Sequence, residues 1–173
     1  MTESLRLGRI AGVSVGINWS VLAIFVLIAV SLAGGRLPEV YPDQSPTAYL
    51  VAGFLAAVVF FASLLAHELS HAVVARRNGI EVEGIVLWLF GGVAKMKGDP
   101  DAPGPAFRIA AAGPSVSIVL GLLFLGVAAV LDERGAEGLV AESARWLGVI
   151  NLVLAGFNLL PGAPLDGGRV LRA

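Results

Sequence analysis

The sequence predicts an all-α membrane protein with four transmembrane helices, a short N-terminal β-hairpin, and a β-hairpin or re-entrant segment after the second helix. Three observations carry this. The 173 residues are 57% hydrophobic and only 14% charged, against about 25% charged in an average soluble domain. The apolar excess sits in long blocks. Four of these approach the roughly 20 residues that cross a bilayer at about 1.5 Å rise each. A net charge of -1 offers no face for nucleic acid and points to no acidic partner. The absence of cysteine excludes disulfides and thiolate metal sites and leaves the redox compartment open.

In chain order, Ser4 to Asn18 alternates in character and carries Gly8, Gly12 and Gly16 as turn points, so a hairpin packed at the membrane surface is expected. Arg6 and Arg9 precede an apolar stretch, but Gly and polar residues intervene and no persuasive cleavage site follows, so no cleaved signal peptide is expected. The first helix is expected from about 17 to 34, ending at Gly34-Gly35, and the second from about 47 to 78, with Gly79 as its C-terminal cap. Glu81 to Lys97 is rich in Val, Ile, Trp and Phe and broken by Gly91-Gly92; with its flanking charges it is too short to cross as a helix. The third helix is expected from about 105 to 131. Gly113-Pro114 kinks it or marks a helix start, and Ser115, Ser117 and Gly121 are small enough for close helix packing. The fourth is expected from about 141 to 160, stopped by Pro161 and Pro164. Its apolar part, Trp146 to Leu160, is about 15 residues, short for a full span. The Pro-Gly-Ala-Pro break is therefore expected at membrane depth, where irregular backbone survives only beside protein or a watery cavity.

Lys and Arg placement orients the chain. With the N-terminus in the cytoplasm, Arg6, Arg9, Arg76, Arg77, Lys95, Lys97, Arg108, Arg169 and Arg172 lie inside. Arg36, Arg134 and Arg145 lie outside, which completes the 12 basic residues. The expected location is the cytoplasmic membrane, with both termini inside.

The second helix carries His67-Glu68-Leu69-Ser70-His71. Residues four apart share a helix face, so the two imidazoles can bind one zinc ion while Glu68 acts on its bound water. The chain has two histidines, both in this motif and both at membrane depth. Ionisable groups there are functional by default.

A catalytic zinc usually has a third protein ligand. With no further histidine and no cysteine, it must be Asp or Glu. Topology puts Glu39, Asp43, Asp132, Glu133, Glu137 and Glu142 on the far side. Glu3, Glu81, Glu83, Asp99 and Asp101 fall in exposed loops or an edge segment. Asp166 follows the broken fourth helix on the histidine side; its alternative is an interfacial turn that caps a following helix. Asn158, eight residues earlier, offers an amide to an oxyanion or to extended substrate. Its alternative is a helix–helix hydrogen bond.

HELSHA at 67–72 and NLLPGAPLDGGRVLRA at 158–173, supported by FGGVAKM at 90–96, AAAGPSVSIVLG at 110–121 and LGRIAGVSVGINWS at 7–20, resemble the site-2 protease family of intramembrane zinc metalloproteases. The resemblance spans nearly the whole chain. It implies one Zn2+ held by His67, His71 and Asp166, with Glu68 as general base and then acid and Asn158 contacting substrate or oxyanion. It implies transmembrane protein substrates, among them anti-sigma factors or similar regulators, and a lipid bilayer as surroundings. Many relatives continue past the LDG motif, so residues 1–173 are expected to be a single intramembrane metalloprotease domain truncated at its C-terminus.

A transmembrane substrate must unwind before attack, and the Gly91-Gly92 segment is a candidate to pair with it strand to strand; otherwise it is a structural hairpin over the site. Rival functions are a membrane metal-binding or transport protein, an inactive binding scaffold, and a soluble-type metallohydrolase on an anchor. Glu68 argues against the first, since transport needs no general base. The intact motif residues argue against the second, and the motif's place in an apolar helix against the third.

Overall fold

A computed structural model describes residues 4–89, 91–98, 102–162 and 165–170, with the side chains of 169 and 170 excepted. The expectations for Glu3, Asp99, Asp101, Pro164, Arg172 and the Arg169 side chain lie outside what is described. The elements are β1 (Leu5–Ile10), β2 (Val13–Ile17), α1 (Val21–Ser31), a π-helical turn (Leu32–Arg36), α2 (Leu37–Val40), α3 (Pro46–Arg77), β3 (Glu81–Trp88), β4 (Gly91–Lys97), α4 (Pro103–Glu133), α5 (Leu139–Asn158) and a short α6 (Asp166–Val170).

Four segments are long and apolar enough to cross a membrane: Val21–Val40, Pro46–Arg77, Pro103–Glu133 and Leu139–Asn158. Their outer faces carry exposed Leu22, Val26, Leu50, Phe54, Val119 and Leu122, which suits a lipid surround rather than water. The chain is thus a multi-pass integral membrane protein, mostly helical but with a small sheet, not all-α.

The first span overruns its expected end. Gly34 and Gly35 lie inside the π-helical turn, and the helix continues to Val40. Packing decides this over glycine's weak helix propensity. Leu32, Ala33 and Leu37 are buried against Tyr49 and Ala56 of α3, where Gly53 lets the helices touch. A Cβ there would stand 2.6 Å from the Ala29 carbonyl oxygen.

At the start of α3, the Ser45 hydroxyl accepts from Ala48 N at 3.2 Å. At its end, Ile80 N donates to Ala75 O and Gly79 N to Arg76 O, with Gly79 at φ 82. This is the glycine C-cap that the sequence predicts.

The two hairpins fuse into one sheet, ordered β1-β2-β3-β4. Ala11 and Gly12, at φ 51 and 77, turn the first hairpin, while Gly8 lies at a bulge and Gly16 is a strand residue rather than a turn. Parallel pairing of Val15 with Ile85 and Ile17 with Leu87 joins the hairpins. Of the two expectations for Glu81–Lys97, the hairpin is the one observed. One sheet face supplies Val13, Ile85 and Leu87 to a core with Val21, Leu64 and Ala72, so the sheet packs on α1 and α3.

α5 has 20 residues, a span of roughly 30 Å. It starts and ends two residues before its expected bounds, so its length is as expected. The expected packing of α4 on α5 is present: a Cβ on Gly121 would stand 2.7 Å from the Leu152 side chain, and one on Gly148 would stand 2.6 Å from that of Leu125.

Candidate metal centre

His67 and His71 lie one turn apart on α3, 1% and 4% exposed. Their Nε2 atoms are 3.2 Å apart. Asp166 opens α6 beyond the end of α5, and its Oδ2 is 3.4 Å from His67 Nε2 and 3.1 Å from His71 Nε2. Three ligand atoms from two distant parts of the chain thus converge. Ligands at about 2.0–2.2 Å from a tetrahedral ion stand about 3.3–3.6 Å from one another, and these three edges come close to that.

The ring orientations explain which nitrogens face inward. His71 Nδ1 lies 2.6 Å from the Ile109 carbonyl oxygen of α4. A carbonyl only accepts, so Nδ1 carries the proton and Nε2 of the neutral ring presents a lone pair. His67 Nδ1 meets the fully buried Ser117 hydroxyl at 2.9 Å. Acceptor atoms therefore face one another in a dry place. That is costly without a cation between them and favourable with one.

Gly113 supplies the space. A Cβ on it would overlap Nε2 of both His71 and His67. The hollow that the imidazoles face exists because this residue has no side chain. Pro114 follows, and its missing N–H leaves the Ala110 carbonyl without its usual helical donor. Asp166 is seated by another glycine: a Cβ on Gly167 would overlap the carbonyls of Leu159 and Leu160, so the chain folds back on the end of α5.

Glu68 lies between the histidines and is half-buried. Its carboxyl group rests on Gly92 of β4, where a Cβ would come within 2.6 Å of its Cδ and 2.9 Å of its Oε1. β4 is an edge strand of the described sheet, as pairing with an added strand requires. Asn158 is not among the converging atoms; its Nδ2 donates to the Leu154 carbonyl of its own helix at 2.9 Å.

Sequence reasoning brought His67, His71, Asp166 and Glu68 to one place. It read Gly113 with Pro114 as a kink or helix start, Ser117 as a packing residue, and Gly91-Gly92 as a strand that pairs with substrate or covers the site, without giving Gly113 or Ser117 a place around the histidines. The available signals were a Gly-Pro pair and a serine in an otherwise apolar helix.

Two imidazole nitrogens and a carboxylate oxygen converging beside a second carboxylate make this a candidate metal site. A model of peptidase family M50 matches residues 55–143 and 126–173. The chain belongs to this family, whose members include the site-2 proteases. The putative zinc metalloprotease Rip3 of Mycobacterium tuberculosis is 49% identical over 173 residues, which is all of this chain and 44% of that protein. A putative zinc metalloprotease of Synechocystis is 40% identical over 175 residues, again 44% of its length. Among solved structures, the site-2 protease from Methanocaldococcus jannaschii aligns with a TM-score of 0.65 and 30% identity, covering 97% of this chain and 69% of that one. The chain spans less than half the length of these two curated relatives. Zinc is the metal their names carry, and the donor set found here fits it.

Proposed function

We propose that this chain is the metal-bearing part of an intramembrane zinc metalloendopeptidase that hydrolyses peptide bonds in or near transmembrane segments of membrane proteins, as in regulated intramembrane proteolysis. The observation that carries the proposal is the convergence of His67, His71 and Asp166 within 3.1–3.4 Å, beside a carboxylate on the same helix. These three residues would hold one zinc ion. When bound, zinc supplies the Lewis acidity that makes water a nucleophile near neutral pH and polarises a carbonyl.

The remaining work falls to the chain's own groups. Glu68 accepts the proton of the attacking water and delivers it to the leaving amine. Ser117 and the Ile109 carbonyl keep the imidazoles turned toward the ion. Asn158 releases the Leu154 carbonyl by rotating its side chain and offers its amide to the oxyanion or to unwound substrate. In this reading residues 1–173 form one domain in the cytoplasmic membrane with the N-terminus inside, and regulators such as anti-sigma factors are candidate substrates.

The test is cleavage of a transmembrane substrate by the reconstituted protein, with zinc content measured alongside. Glu68→Gln should keep its zinc and lose about 10²–10⁴ in rate, the usual size of acid–base catalysis. Undiminished cleavage by that variant contradicts the proposal. A protein that moves zinc across vesicles regardless of Glu68 supports transport instead.

A further inference from the structure

The sheet has a second face, turned away from the helices, and it differs in kind from the apolar one. Its register sets Arg9 opposite Ser14, and Arg6 opposite Gly16. Gly84 stands opposite Lys95. The parallel pairing of Val15 with Ile85 and Gly16 with Val86 puts Ser14 beside Gly84, and a Cβ on Gly84 would stand 2.9 Å from the Ser14 carbonyl oxygen. One row across all four strands therefore reads Arg9, Ser14, Gly84, Lys95.

Small residues occupy the two central strands and long cationic ones the two edges. Neighbouring strands lie about 4.8 Å apart, so the two cations start about 14 Å from each other. The low floor leaves a hollow of about 700 Å³ lined by Arg6, Arg9, Ser14, Glu83, Gly84 and Lys95. Among the described residues, Arg6, Arg9 and Lys95 share this hollow with Glu83, which also lies 3.9 Å from Lys97 Nζ.

We propose that this trough binds a phosphoryl group, presented either by an anionic lipid headgroup or by a soluble phosphate compound. The chemistry is specific. Arg9 and Arg6 offer planar forks of N–H donors that match phosphate oxygens, and Lys95 adds a point charge from the opposite edge. The Ser14 hydroxyl supplies a donor at the floor. The flattened floor lets the anion sit between the strands' side chains rather than above them. The site lies on the opposite sheet face from the one packed against α3, so it is separate from the metal centre.

Binding to the purified 173-residue chain in maltoside detergent is measured by calorimetry with two probes, inorganic phosphate and short-chain phosphatidylglycerol, with phosphatidylcholine as the uncharged-headgroup control. Saturable binding of at least one phosphate probe is expected. Arg9→Gln and Lys95→Gln should each weaken it about tenfold, the scale of a lost charge-assisted pair, while Arg134→Gln leaves it unchanged. Zinc content equal to wild type shows that each variant is folded. Binding of inorganic phosphate marks a soluble ligand. Binding of phosphatidylglycerol alone marks a headgroup. Binding of neither probe, or binding indifferent to Arg9 and Lys95, overturns the proposal.

Discussion

The two ends of the helix bundle both bury charged and polar groups, and they do so in opposite ways. Where the π-helical turn, α4 and α5 meet, Arg36 Nε lies 2.7 Å from Glu142 Oε1, Arg145 Nη1 lies 2.5 Å from Glu142 Oε2, and Arg145 Nη2 lies 2.6 Å from Asp132 Oδ2. Two cations answer two carboxylates, and Glu142 is 1% exposed. The network balances its charge internally, though Asp132 Oδ1 is buried without a hydrogen-bond partner. At the other end, the Nε2 atoms of two imidazoles and a carboxylate oxygen converge around a space that Gly113 leaves empty of side chain. That arrangement is incomplete by itself. Buried ion pairs fix geometry, whereas converging acceptors imply a guest cation.

Substitutions that act on one end and spare the other sharpen this contrast. The largest effect is expected from Gly113→Ala, which drives a methyl group into the imidazole pair. Zinc affinity should fall by about a hundredfold or more, beyond the range of outer-sphere changes, while helix content measured by circular dichroism stays as in wild type. Zinc bound at wild-type strength by that variant breaks the account of the hollow.

Next comes Ser117→Ala. It leaves the ligands in place but removes the partner of His67 Nδ1, and zinc affinity in a competition titration should fall by about ten- to a hundredfold. No change would reduce Ser117 to a packing residue, which is how the sequence alone reads it.

The smallest effect belongs to the ionic end. Glu142→Ala strands Arg36, though Arg36 is itself half exposed and Arg145 keeps Asp132. Unfolding in detergent should become easier by roughly 1–3 kcal/mol, below the full cost of an uncompensated buried charge because solvent screens Arg36. Zinc stoichiometry should not move. Loss of zinc together with stability would show that the two ends are coupled.

The same contrast explains what could be read in advance. The histidines share a helix, so their spacing alone places them on one face, and composition then leaves few candidates for a third ligand. Asp166 is 95 residues from His71, yet elimination and the family motif both reach it. Gly113, Ser117 and Gly92 act by what they admit or orient across helix and strand contacts, and no local periodicity encodes that. The overrun of the first span past Gly34-Gly35 and the parallel β2–β3 pairing failed to show for the same reason. Both depend on surfaces that meet only after α3 is in place. The ionic network was hidden differently: the topology reading put Asp132, Glu142, Arg36 and Arg145 on the same side but did not pair them.

The most direct test of the central claim is the zinc affinity and stoichiometry of wild type against Asp166→Ala, with cobalt absorption reporting the coordination sphere. One ion per chain in a tetrahedral field is expected for wild type, and a loss of more than about a hundredfold in affinity for the variant. Equal affinity and an unchanged cobalt spectrum in Asp166→Ala would contradict the claim that these three side chains hold one ion.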